Sequence, residues 1–188
     1  MAVRKILLYT QDAAALREKS RPVGAVSRGV QRLIRDLEDT LAHSSDGIGL
    51  AAPQIDVHRR VVVVRLGGRN EEDREPDPPI ALIDPQIIEA GDERPDFDGC
   101  LSFPGLYGET VRPHSLRVIG LDERGKPFDR AFEGFDAVVV HHEIDHLDGV
   151  LFIDRVQSIE DLYRVEADQD GQLVRVPIRI ANGQTGIA

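Results

Sequence analysis

Two histidines and a glutamate stand together in His142-Glu143-Ile144-Asp145-His146, the residue types that a metal-assisted hydrolysis requires. On an α-helix, residues four apart lie one above the other, so His142 and His146 can bind a single ion. Glu143 then points beside the ion rather than at it, which suits a general base for water activated there. Phe135, Val138, Val139, His142 and His146 fall at helical spacing on one face, and Gly149 lies just past the end as a C-terminal stop. The blander reading is a buried helix whose histidines are satisfied core residues.

A two-histidine site lacks a third ligand, and the sequence has a single cysteine, Cys100. A lone thiol excludes an intramolecular disulfide framework and leaves three roles: buried filler, nucleophile or metal ligand. It lies in Asp98-Gly99-Cys100-Leu101-Ser102-Phe103-Pro104-Gly105, where Gly99 lets the backbone approach a ligand and Pro-Gly ends the stretch in a turn. Cys-His-His with a fourth position open is the pattern of a catalytic rather than a structural metal. A third segment, Gly47-Ile48-Gly49-Leu50-Ala51-Ala52-Pro53-Gln54, has small residues that would let it lie along a substrate backbone. Gln54 offers an amide donor to a developing oxyanion. Taken alone, this segment reads better as a tight loop ending a helix.

The elements that must position these segments are legible in part. Ala25 to His43 has an apolar stripe of Val26, Val30, Leu33, Ile34, Leu37 and Leu41, which predicts an amphipathic helix covering the core. Val61 to Leu66 is a β-branched run and reads as a buried strand. Gly67 to Pro79, rich in Gly, Pro and acidic residues, reads as an exposed loop. Ile80–Ile83, Ile87–Glu89, Leu116–Asp122 and Phe128–Phe132 are further strands, with Asp122-Glu123-Arg124-Gly125 as a hairpin turn. A short helix is expected from Ile159 to Val165. Alternation from Leu173 to Ile180, interrupted by Pro177, predicts an edge strand or an extended tail. The order of elements predicts an α+β fold, antiparallel sheets packed around a central helix that carries the histidines.

At 188 residues the chain is expected to form one domain with a real core. Its 41% hydrophobic and 30% charged content place it with soluble globular proteins. A net charge of −10 argues against a nucleic-acid binder and against an anionic membrane surface. The apolar run Ile6-Leu7-Leu8 is too short for a signal-peptide core, and no segment approaches membrane-spanning length. A cytoplasmic location is the resulting expectation.

In this order, the three segments closely resemble the peptide deformylases, a family that shows Gly-Ile-Gly-Leu-Ala-Ala-x-Gln, then Glu-Gly-Cys-Leu-Ser, then a helical His-Glu-x-Asp-His. The resemblance runs from about Ile6 to Arg155 and includes Leu147-Asp148-Gly149-Val150-Leu151-Phe152; beyond about residue 164 the tail diverges. It implies metal-dependent hydrolysis of the N-formyl group from the formyl-methionine of nascent chains. Cys100, His142 and His146 match the metal ligands and Glu143 the acid/base. Gln54 and the Leu101 N–H match the oxyanion donors. Ile48 and Gly49 match backbone positions that pair with an extended substrate, Gly99 borders the same path, and Val138 matches a wall of the methionine pocket. Family resemblance favours Fe²⁺ as the one divalent ion, and the ligand set also admits Zn²⁺, Ni²⁺ or Co²⁺.

The sequence departs from the family pattern at three positions. Asp98 stands where the family has Glu, one methylene short of the arginine matched by Arg112, which would weaken that contact or leave it bridged by water. His141 replaces Gln, and Tyr107 stands where bacterial relatives often carry an arginine at the substrate entrance. After Tyr163 the chain does not match the basic C-terminal helix by which some relatives dock on the ribosome, which leaves that partner open. Two other functions compete. A zinc endopeptidase would need a ligand downstream, and no histidine follows His146. A silent peptide-binding homologue would have lost Glu143 or Gln54, and both are present.

Overall fold

The structure, a computed structural model, describes residues 2–44, 47–67, 78–167 and 172–178. Helices α1 (Tyr9–Leu16) and α2 (Arg28–Ala42) precede strands β1 (Gly49–Ala51), β2 (Val61–Val64), β3 (Ile80–Gly99), β4 (Leu106–Leu121) and β5 (Pro127–Glu133). Helix α3 (Gly134–Leu147) and strands β6 (Leu162–Ala167) and β7 (Leu173–Pro177) complete the order. The strands form one antiparallel sheet, β1-β2-β3-β4-β6-β7, with β5 also paired to β4. Among the described residues no helix is long and apolar enough to cross a membrane.

Strand β2 explains how the layers are held. Its four valines are all fully buried, because successive side chains point to opposite faces and both faces are covered. Val61 and Val63 pack with Ile34, Leu37 and Leu41 of α2. Val62 and Val64 pack with Val139, Val140 and Ile144 of α3. Each such side chain contributes roughly 1.5–3 kcal/mol by leaving water. Helix α2 starts later than its apolar stripe suggested, at Arg28, because the Ser27 hydroxyl accepts the Val30 N–H and caps it.

Helix α3 is buried on nearly every face from Ala137 to Leu147, His141 being the one half-buried residue of that run. It therefore lies inside the fold rather than on it. Gly149, at φ +73°, ends it as the sequence suggests.

The strands are longer than local pattern predicted. Ile80–Ile83 and Ile87–Glu89 belong to one strand, β3, whose register shifts between Ile83 and Gln86 and again between Ile87 and Glu89. Asp84 sits there at φ +49° and its carboxylate accepts the Val23 and Gly24 N–H groups, tying the sheet to the segment before α2. From Ile83↔Leu121 to Gly99↔Tyr107, β3 pairs with β4. The Asp122–Gly125 turn joins β4 to β5, held by the Asp122 carboxylate on the N–H groups of Arg124 and Lys126. Ten residues of the expected Gly67–Pro79 loop, 68–77, lie outside the described residues, as do 179–180 of the expected terminal strand.

One helix was misread. Ile159–Asp161 is a single 3₁₀ turn, and Leu162 onward is β6. Ile159, Leu162 and Val165 have helical spacing, but β4 offers an open edge at Leu106–Gly108, and pairing with it and with β7 takes the segment.

Candidate active site

Strands β3 and β4 make a long hairpin, and Cys100 opens its tip. The tip is a tight turn: Phe103 N–H donates to the Cys100 carbonyl at 2.9 Å, and Gly105 takes φ +75°. Gln54 comes from a different place, the 3₁₀ turn Ala52–Ile55 that follows β1. Its Oε1 accepts the Ala51 N–H at 2.8 Å, which fixes the amide. Its Nε2 then faces Ser102 Oγ at 3.2 Å and Cys100 Sγ at 3.5 Å. His142, Glu143 and His146 come from α3.

These elements converge on one cavity of about 510 Å³. Ile48, Gly49, Gln54, Gly99, Cys100, Leu101, Val138, His142 and Glu143 all line it. His146 closes the group from behind, its Nε2 3.2 Å from Cys100 Sγ. The donor atoms of Cys100, His142 and His146 lie within 4.8 Å of one another, a group that could hold a metal ion. Gly49 is required where it stands: a Cβ there would come within 2.7 Å of the Glu143 carboxyl carbon. The strand that would meet a substrate is thus pressed against the carboxylate that would serve it.

The charges beneath the cavity were only partly legible. His142 donates from Nδ1 to Asp98 Oδ1 at 2.8 Å, which leaves Nε2 for the donor cluster. Asp98 Oδ2 accepts from Arg112 Nε at 2.7 Å and from Thr110 Oγ1 at 3.0 Å. The contact expected to be weak or water-bridged is therefore direct: Asp98 pairs with Gly108, and Arg112, four residues farther along β4 on the same face, reaches back to it. Arg112 is fully buried and donates from its other arm to Asp145 Oδ2 at 2.7 Å and to His141 Nδ1 at 2.7 Å. Arg155 reaches Asp145 through Nε and Nη2, at 3.1 and 2.7 Å. Two guanidinium groups thus face two carboxylates, so each buried carboxylate has a cationic partner.

Proton affinities follow from these contacts. Burial pushes Asp98 up, but the charges of His142 and Arg112 and their hydrogen bonds outweigh it and hold the carboxyl well below the usual range. Burial likewise opposes, and the Arg155 and Arg112 contacts overcome it, at Asp145, which ends lowered. His141 falls to about 4, mainly by burial, and so accepts from Arg112 as a neutral ring. Burial and the His142 charge keep His146 well below an ordinary imidazole. Glu143 moves the other way, raised by burial to about 7, and among the described residues its Oε2 has no hydrogen-bond partner.

The three motifs thus meet around a buried carboxylate with a free oxygen and a proton affinity near neutrality. The sequence model of polypeptide deformylases matches residues 3–161. The chain belongs to the polypeptide deformylase family. A peptide deformylase of Alkalilimnicola ehrlichii is 39% identical over 188 residues, covering 100% of both chains. One from Thermomicrobium roseum is 39% identical over 170 residues, covering 90% of this chain and 95% of its own. The crystal structure of a peptide deformylase from Legionella pneumophila matches with a TM-score of 0.72 at 38% identity, over 83% of this chain and 87% of that one. A peptide deformylase from Ehrlichia chaffeensis in complex with actinonin matches with a TM-score of 0.75 at 31% identity, over 84% of this chain and 91% of that one. Membership makes the chain a metal-dependent hydrolase with deformylase activity; neither the endopeptidase nor the silent peptide-binder finds support.

Several residues of this deformylase site escaped the motif reading. Ser102 is buried and takes the Gln54 amide. Thr110 and His114, on either side of the expected Arg112, are buried polar residues at alternate positions of β4, a polar face where a core strand would be apolar, and that alternation was the available signal. Asp145 and Phe152 lie in matched segments but had no role assigned to them, and Arg155 carried no comparable signal; the Phe152 ring stacks beside His142 at 6.5 Å.

Proposed function

We propose that this deformylase removes the formyl group from the N-terminal formyl-methionine of nascent peptides, with Cys100, His142 and His146 holding one divalent ion. The observation that carries the assignment is the clustering of those three donors beside the buried Glu143 carboxylate. A thiolate with two imidazoles suits a borderline-soft cation, and we take Fe²⁺ as the native one by family resemblance, with Zn²⁺, Ni²⁺ and Co²⁺ fitting the same donors. Such an ion, when bound, supplies Lewis acidity toward water and the formyl oxygen.

The chain's own residues do the rest. Asp98 fixes the His142 ring through Nδ1, and Arg112 fixes Asp98. Glu143 takes a proton from the water that attacks the formyl carbon and passes it to the departing α-amine, giving formate and a free N-terminus; a group at about 7 suits both transfers. Gln54 Nε2 and the Leu101 N–H donate to the oxygen that becomes negative. Ile48, just before β1, and Gly49, on β1 at the end of the strand order, pair with the extended substrate. Val138 walls the methionine pocket, and Gly99 borders the path beyond it.

We read the chain as one deformylase domain acting in the cytoplasm on nascent peptides. The described residues past Asp161 form strands, so ribosome docking by this segment would not use a helix there.

The test is release of formate from formyl-Met-Ala-Ser by protein loaded anaerobically with Fe²⁺. Activity should vanish on chelation and return with Fe²⁺ or Ni²⁺. Glu143→Ala should abolish turnover and leave metal content nearly unchanged, since Glu143 is not assigned as a ligand. Appreciable turnover by metal-loaded Glu143→Ala would refute its role.

A further inference from the structure

The oxyanion donors assigned above stand on two separate turns. Gln54 belongs to the 3₁₀ turn Ala52–Ile55, and Leu101 is the second residue of the tip turn closed by the Phe103 N–H on the Cys100 carbonyl. Two donors act together on one oxygen only while their separation is held, since they must fit the transition state without rearranging to meet it. The side-chain links between the turns run from Gln54 Nε2, to Ser102 Oγ at 3.2 Å and Cys100 Sγ at 3.5 Å. They hang on the very group that has to turn to the oxyanion.

A third segment spans the two turns through backbone alone. Leu7 N–H donates to the Gln54 carbonyl at 2.8 Å, and Tyr9 N–H donates to the Ser102 carbonyl at 3.0 Å. In extended chain, N–H groups two residues apart point the same way and lie about 7 Å apart, so Leu7-Leu8-Tyr9 is a strap of set length. Leu8 is extended, at φ −107° and ψ 134°, and its own N–H turns away to Asp12 Oδ2 at 3.1 Å. The strap is seated at both ends. Upstream, Arg4 N–H donates to Thr40 Oγ1 of α2 at 2.9 Å. Downstream, the Tyr9 ring stacks on Phe103 at 4.7 Å, and the end of α1 presses on the turn after α3: a Cβ on Gly149 would lie 2.3 Å from the Arg17 carbonyl oxygen. Gln54 and Ser102 are both buried, so water does not readily replace either bond.

We propose that Leu7 and Tyr9 are positioning residues for catalysis, whose N–H groups set the spacing between the Gln54 amide and the Leu101 N–H. The proposal rests on the deformylase reading above, because it presupposes those two donors. An oxyanion donor counts in the transition state far more than in the ground state, so slack in the strap lowers kcat and leaves KM and divalent-ion affinity nearly unchanged. A misplacement of about 1 Å costs up to about 10²-fold, and losing one of the strap's two bonds corresponds to about tenfold.

Tyr9→Pro separates the bond from the fold. Tyr9 is the first residue of α1, where the fixed φ and missing N–H of proline are tolerated, and Leu8 already has the extended backbone required before proline. Tyr9→Pro deletes the ring and the bond to Ser102, whereas Tyr9→Ala deletes the ring and keeps the bond. Formate release from formyl-Met-Ala-Ser is compared at matched metal content, with ion affinity read by chelator competition. Tyr9→Pro should have a kcat about tenfold below Tyr9→Ala, with KM and ion affinity within about twofold. With Gln54→Ala added to both, that ratio should shrink to about twofold or less, because one of the two donors being spaced is gone. A smaller folded fraction would lower kcat equally with or without Gln54. Asp12→Ala, which frees Leu8, should lower kcat in the same direction, and its unchanged kcat is the overturning result if Tyr9→Pro folds poorly. Equal kcat for Tyr9→Pro and Tyr9→Ala, a loss carried by KM or ion affinity, or a ratio unchanged without Gln54 overturns the strap's role and leaves the deformylase intact. No formate from the metal-loaded wild type overturns the activity and the strap's role with it.

Discussion

Replacing Arg112 by Met tests whether the buried charge network holds the donor cluster in place. The side chain is fully buried and bonded to Asp98 and Asp145. Removing one partner of such a pair strands charge in a poorly solvated place, which costs about 3–5 kcal/mol. Here the carboxylates keep other partners: Asp98 retains Thr110 and His142, and Asp145 retains both bonds to Arg155. The lower end, about 3 kcal/mol, is therefore expected. For a chain of this length that corresponds to roughly 6–12 °C in Tm. Asp98 would also lose the anchor that aims His142, so divalent-ion affinity should fall about 10- to 100-fold.

Thermal unfolding should be followed with metal removed by chelator, because bound metal stabilises the native state by itself. Affinity is read separately by competition with a chromophoric chelator. Asp98→Asn and the double variant complete a cycle, in which the two changes together should cost less than their sum. A Tm loss under about 2 °C with affinity within twofold of wild type would show that the network is incidental.

Three further outcomes are expected. Cys100→Ser should lower metal affinity, and Co²⁺-loaded wild type should show a sulfur-to-metal charge-transfer band that the variant lacks; wild type without the band would remove Cys100 from the ligands. Gln54→Ala should lower kcat about 10²- to 10³-fold at matched metal content with KM changed much less, as an oxyanion donor requires; a large rise in KM at unchanged kcat would make Gln54 a substrate anchor instead. Asp154 is pushed up by burial but held below the usual carboxylate range by Arg17 and the Leu151 N–H. Its contribution is therefore present above about pH 4 and lost as pH falls through the lowered folded-state value. Both side chains are more than a third exposed, so Arg17→Met should cost under about 1 kcal/mol at pH 7. That difference should shrink in urea melts below pH 4, and a difference that grows there would contradict the pairing.

Where a feature depends on neighbours in sequence, the sequence alone was enough. The α3 spacing, the four valines of β2, the Pro-Gly tip after Cys100 and the Asp122–Gly125 turn are local in cause, and each was read close to its place. The three motifs also named most residues that line the cavity, because each segment's chemistry is carried by its own residue types.

What lies across strands or between elements was decided by the tertiary structure. Nothing near Pro95 or Pro113 predicts strand, yet both sit in β3 and β4, because pairing along the hairpin, Pro95 with Val111 and Pro113 with Glu93, sets their conformation. The open edge of β4 turned Leu162–Ala167 into strand against its helical spacing and brought Val165 to the cavity. The directness of the Asp98–Arg112 bond depended on the reach of Arg112 along one face of β4 to a carboxylate four register positions away. Arg112 could satisfy Asp98 and Asp145 together only because β3, β4 and α3 converge there, a meeting of residues 14 and 33 positions apart in the chain. Local preference acts over a few residues, whereas the burial and pairing of charge act through space, and only the folded chain brings those groups within reach of one another.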